Sequence, residues 1–144
     1  MGKLTESNGV LLATCECGIS RSTNDGENWE CVLSEGGVGI DIELIKGGFA
    51  AIVANTQLMA RTVSTSYDGG KTWQPVDDSL KPELSIASII QFGDDLFCGH
   101  PSGIYKSSDK GKTWKLILPS IKDRVFNLII SGNEIYAISR AGGC

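Results

Sequence analysis

An eight-residue pattern that occurs three times constrains the fold of this chain more than any other feature. Ser22-Thr23-Asn24-Asp25-Gly26-Glu27-Asn28-Trp29, Ser66-Tyr67-Asp68-Gly69-Gly70-Lys71-Thr72-Trp73 and Ser107-Ser108-Asp109-Lys110-Gly111-Lys112-Thr113-Trp114 align without a gap. Trp29 and Trp73 stand 44 residues apart, and Trp73 and Trp114 stand 41 apart. Self-similarity at such a period marks a repeat architecture, in which each unit buries its apolar face only against its neighbours.

The segments between the boxes repeat as well. A β-branched run comes first (40–45, 86–90 and 125–130), then a glycine-centred turn at Gly47-Gly48, Gly93-Asp94-Asp95 and Gly132-Asn133. A second apolar run follows at 49–54, 96–98 and 135–138, and a third leads into each box at 18–22, 61–66 and 103–107. A fourth run leaves each box, beginning at the Trp. Short runs bounded by Gly, Asn and Asp read as antiparallel strands joined by tight turns, and no segment has a competing helical period. Four strands in about 40–50 residues is the unit of a β-propeller. The sequence therefore predicts an all-β chain of propeller blades, each of four antiparallel strands, about three and a half blades in total. The blades fall at about 3–34, 38–77 and 84–119, with a half blade at about 124–144.

The box S-x-D-x-G-x-T-W resembles the Asp-box, or BNR, repeat of sialidases, other propeller glycosidases, sortilin-type receptors and photosystem II assembly factors. Ser66, Asp68, Gly70, Thr72 and Trp73 match it fully, as do Ser107, Asp109, Gly111, Thr113 and Trp114. The first box keeps Ser22, Gly26 and Trp29 but has Asn24 for the Asp and Asn28 for the Thr. The chemistry of the pattern is that of a hairpin turn. A carboxylate, or the amide oxygen of Asn24, accepts backbone N–H bonds, glycine permits a positive φ, and the Trp turns inward between blades. The resemblance implies that the boxes lie on the face away from any catalytic centre, so none of these residues is expected to be catalytic.

Natural propellers close with about four to eight blades. Three and a half blades leave sheet edges and an apolar blade face open. Two completions are expected: a second copy that makes up a ring of about seven blades, or the missing blades of a larger chain.

Composition narrows the partners. The net charge is −4 and the basic residues are scattered, so there is no basic stripe for nucleic acid or an anionic membrane. No apolar run reaches the roughly 18 residues of a membrane span. The opening Met1-Gly2-Lys3-Leu4-Thr5-Glu6 has no signal-peptide core, which points to the cytoplasm, or to export with a leader removed. Five irregularly spaced cysteines (Cys15, Cys17, Cys31, Cys98 and Cys144) read as mostly free thiols in a reducing compartment.

Candidate binding residues come from the loops joining strands 2 to 3 and successive blades, the face on which ligands sit in the resembling family. These loops hold Cys15-Glu16-Cys17, residues 55–60 with Asn55 and Gln57, His100-Pro101-Ser102, and inter-blade segments that include Arg124. Cys15 and Cys17 with His100 would make a metal site only if three or four ligands converged. Their blades are not adjacent, so no metal and no cofactor are expected. His100 reads as a solvated loop residue rather than a general acid or base. Asp41 and Glu43, two apart on an innermost strand, share a face; such a pair serves glycoside hydrolysis or simply lines a channel as solvated residues. Sialidases grip their substrate with three arginines and carry a Phe/Tyr-Arg-Ile-Pro motif. This chain has only Arg21, Arg61, Arg124 and Arg140, and the motif is missing. The leading expectation is a non-catalytic module that binds a protein or glycan through the loop-rich face. The alternatives are part of a propeller glycosidase, or an assembly component acting through its open blade edge.

Overall fold

The computed structural model describes residues 2–122 and 124–141, all of its regular structure being β-strand. Its strands are β1 (Leu4–Ser7), β2 (Val10–Cys15), β3 (Gly18–Ser22), β4 (Glu30–Leu33), β5 (Gly36–Ile45), β6 (Gly48–Asn55) and β7 (Ala60–Ser66). They continue as β8 (Gln74–Pro75), β9 (Ser88–Phe92), β10 (Asp95–His100), β11 (Gly103–Ser107), β12 (Lys115–Pro119), β13 (Arg124–Ser131) and β14 (Glu134–Ala141). Three four-stranded antiparallel meanders result, β1–β4, β5–β8 and β9–β12, followed by the hairpin β13–β14. No described helix is long and apolar enough to cross a membrane. The last three residues of the half blade expected at about 124–144 fall outside the described residues.

The sheets stack through three apolar clusters. Leu12 and Ile19 of the first sheet meet Ile42, Phe49, Ala51 and Val53 of the second. Ala50, Ile52 and Val63 of the second meet Ile89, Leu96, Cys98 and Trp114 of the third. Ile104 of the third, with Phe97 and Ile90 against it, meets Phe126, Leu128 and Ile135 of the hairpin. Alternation along each second strand makes this stacking possible, because successive side chains serve opposite neighbours. Counted from its hairpin turn, Leu12, Ala50, Phe97 and Tyr136 occupy one register position. The first three of these side chains face the following sheet.

The fourth strands differ in detail from expectation. Each begins one residue after the Trp rather than at it, because the indole folds back to donate to the box glycine's carbonyl. β8 is cut to two residues, since Pro75 supplies no ladder donor. Val76 N–H still donates to Val63 O of β7 at 3.1 Å, and the chain meets β7 again where Arg61 and Glu83 exchange backbone bonds.

Candidate functional site

The three boxes are one hydrogen-bonded turn made three times. In the middle box the Ser66 hydroxyl donates to Asp68 Oδ1 at 2.9 Å and accepts from the Gly70 N–H at 2.9 Å. Asp68 Oδ1 also accepts from the Lys71 and Thr72 N–H groups, and the Thr72 hydroxyl donates to Oδ2 at 2.5 Å. Ser107, Asp109, Gly111 and Thr113 repeat the pattern. In the first box Asn24 Oδ1 accepts from the Ser22 hydroxyl and the Asn28 N–H, while Gly26 N–H donates to Ser22. The turn needs two consecutive positive φ values, met at Asp25–Gly26, Gly69–Gly70 and Lys110–Gly111. The threonine hydroxyls, then the backbone donors, hold both aspartates at about 2. The boxes also link blades: Arg21 Nε donates to Gly69 O at 2.8 Å, and the Tyr67 hydroxyl to Lys110 O at 2.9 Å.

The Trp residues separate by position. Trp114 is 6% exposed in the cluster between the second and third sheets, and Trp73 is half-buried against the first. Trp29 is 43% exposed, contrary to the inward burial expected of it. Trp73 and Trp114 pack on the sheet before their own, and no sheet precedes the first among the described residues.

Of the loop-face candidates, Asn55 and His100 are engaged within the fold. Asn55 ends β6, donating to Glu35 at 2.8 Å and accepting from the Leu58 N–H at 2.9 Å. Gln57 lies exposed in the following turn, and Arg124 is exposed at the start of β13. His100 corrects the sequence reading, being 1% exposed rather than solvated. β10 carries it past the expected loop edge, where Nε2 meets Lys81 O at 2.8 Å and Nδ1 accepts from the Ser102 N–H at 3.0 Å. That pairing requires the neutral tautomer protonated on Nε2. Burial lowers its pKa, against the raising effect of the Lys81 carbonyl.

Asp41 and Glu43 on β5 are not free channel carboxylates either. The Lys3 ammonium bonds both, Asp41 at 2.9 Å, and ties the first sheet's innermost edge to the second. Burial raises the Glu43 pKa, the bond from Lys3 lowers it in part, and the Asp41 charge raises it.

Cysteine placement also departs from expectation. Cys17 and Cys31 form a disulfide with Cα atoms 6.5 Å apart. Cys15 Sγ lies 2.8 Å from Cys17 Sγ, and Cys98 is a buried free thiol; Cys144 lies outside the described residues. The β3–β4 pairing sets Cys31 opposite Ser20, just beyond the Cys15-Glu16-Cys17 turn. This juxtaposition depends on a register shift between Ile19 and Ser20 that spacing in the sequence does not reveal.

Two apolar surfaces fall on the loop-rich side and the open end anticipated from sequence, on residues that the sequence did not mark individually. On the loop-rich side, Leu58, Met59 and Leu84 are exposed beside a groove of about 620 Å³ lined by Leu58, Ala60, Asp78, Lys81, Pro82 and Glu83. At the end of the stack, Ile129, Tyr136 and Ile138 are each about half exposed on one face of β13–β14.

No curated protein shows a match to this sequence. The family model of the BNR/Asp-box repeat matches residues 64–75, so the chain carries the Asp-box repeat, and the turns at Ser22 and Ser107 reproduce the bonding of the matched one.

Proposed function

We propose that this propeller-type module is a non-catalytic assembly and recognition unit whose principal interaction surface is its open blade faces, and that a second copy occupies them. The observation that carries this reading is a register equivalence. Ile138 stands where Ile52 stands in the second sheet, four residues along the second strand of its hairpin. Ile52 is 0% exposed beneath the third sheet, whereas Ile138 is 52% exposed. At the opposite end Trp29 and Leu4 are exposed, on the side from which Trp73 and Trp114 reach the preceding sheet. The two open surfaces are thus the two halves of one inter-blade contact. Two copies joined head to tail satisfy both halves twice and leave no open end.

Mixing tests this reading. Trp29→Glu and Ile138→Glu each spoil both contacts of a two-chain ring, so each variant alone sediments as a single chain. A mixture restores one wild-type contact and forms a heterodimer. Wild-type protein that sediments as a single chain at every concentration overturns the proposal. So does a mixture that behaves as the sum of its parts.

The exposed Leu58, Met59 and Leu84 around the loop-side groove favour a second surface, suited to a protein segment rather than a glycan, since its bulk is aliphatic. A peptide-library selection should return an apolar consensus whose binding is lost in Met59→Glu. A selection without consensus, or with binding indifferent to that change, removes this surface from consideration. Catalysis finds no support in the acid pair, because the nearest cation, Lys3, already engages both carboxylates.

A further inference from the structure

We infer that Cys15, Cys17 and Cys31, when reduced, form a three-thiolate site for a thiophilic d¹⁰ cation, Zn(II) or Cu(I). The three sulfurs all lie within 4.8 Å of one another. A metal–sulfur bond of about 2.3 Å places the sulfurs of one metal roughly 4 Å apart, so the cluster fits with small side-chain rotations. Three elements bring them together: Cys15 closes β2, Cys17 sits in the two-residue turn before β3, and Cys31 lies on β4. The turn is pinned by the Cys15–Gly18 pair and β4 by the Ser20–Cys31 pair, so the backbone is already ordered for binding. Cys31 is exposed and the other two are half-buried, which gives an ion a route in.

The nearest oxygen ligand is the Ser20 hydroxyl, 3.2 Å from Cys15 Sγ and 3.6 Å from Cys17 Sγ. That hydroxyl, or a water, would be the fourth ligand that tetrahedral Zn(II) takes, while three sulfurs alone suit trigonal Cu(I). Binding releases the three thiol protons to solvent as three metal–sulfur bonds form, with no change in oxidation state. Joined as the disulfide, Cys17 and Cys31 are both withdrawn as ligands, so the site exists only in the reduced protein.

The test uses the full chain, reduced with a phosphine and held under argon. Zn(II) and Cu(I) are titrated in separate arms against chromophoric chelators, with Co(II) as a spectroscopic probe. One ion per chain is expected, together with an intense thiolate-to-Co(II) charge-transfer band. Cys15→Ser and Cys31→Ser should each weaken binding by about a hundredfold or more, as loss of a metal ligand does. Cys144→Ser should change nothing. Thermal unfolding of each reduced variant identifies any that fails to fold, and Cys15→Ser, which leaves the Cys17–Cys31 pair intact, provides the control. Binding to the wild type no tighter than to Cys15→Ser, or unchanged stoichiometry when all three are replaced, overturns the inference.

Discussion

Replacing Ile52 and Ile138 by alanine, one at a time, compares a single register position in two environments. Each change removes three carbons. At about 0.8 kcal/mol per buried methyl or methylene, the transfer part for fully buried Ile52 comes to about 2.4 kcal/mol. The residual cavity adds to this, because Ile52 sits between the second and third sheets among Ala50, Val63, Leu96 and Trp114, which cannot all collapse inward. Ile52→Ala should therefore cost about 3–4 kcal/mol. Ile138 has roughly half its surface in water already, so the same change in an isolated chain should cost about 1 kcal/mol or less. Urea titrations followed by tryptophan fluorescence, with equal slopes, read the difference directly. At concentrations where copies associate, the Ile138→Ala cost should rise toward that of Ile52→Ala. Equal costs in dilute protein, or an Ile52→Ala cost under about 1 kcal/mol, would refute the equivalence of these positions.

Three further outcomes follow from named contacts. Asp68 and Asp109 are held at about 2, below the ordinary value near 3.9, so the folded chain binds fewer protons than the unfolded one in between. Stability is fully present above about pH 4 and lost as pH falls toward 2; the Asp68→Asn/Asp109→Asn double variant should show a shallower fall of Tm over that window, and identical slopes would count against the box bonding described. Gly99→Ala would drive a β-carbon into the Phe126 carbonyl oxygen, where the third sheet meets the hairpin, and should cost more than about 2 kcal/mol by urea titration. His100, buried and neutral, has a lowered pKa, so its contribution is present above about pH 6.5 and lost as pH falls; His100→Gln should remove that dependence from Tm-versus-pH curves.

The strands were legible because the chain repeats. Alternation and glycine turns located β3, β7 and β11 to within a residue, and the box predicted a turn with positive φ at its glycine, though not the second positive φ just before it. Side-chain environments were less legible. His100 reads as a loop residue, yet β10 extends to include it and the Lys81 carbonyl from the preceding loop reaches its ring. The same lack of cross-strand register hid the meeting of Cys31 with the Cys15–Cys17 turn. Trp29 was misjudged for another reason. Its motif matches that of Trp114, but burial depends on a neighbouring sheet, which motif identity does not specify. Asp41 and Glu43 share a face as their spacing requires, whereas their shared cation, Lys3, comes from 38 and 40 residues away in sequence.

The most direct measurement is the molar mass of the reduced wild-type protein by light scattering on a sizing column, across a range of loading concentrations. Head-to-tail pairing of the open faces predicts twice the mass of one chain, reverting to a single chain in Ile138→Glu. A single-chain mass at every concentration, with Ile129, Tyr136 and Ile138 left open to water, would contradict it.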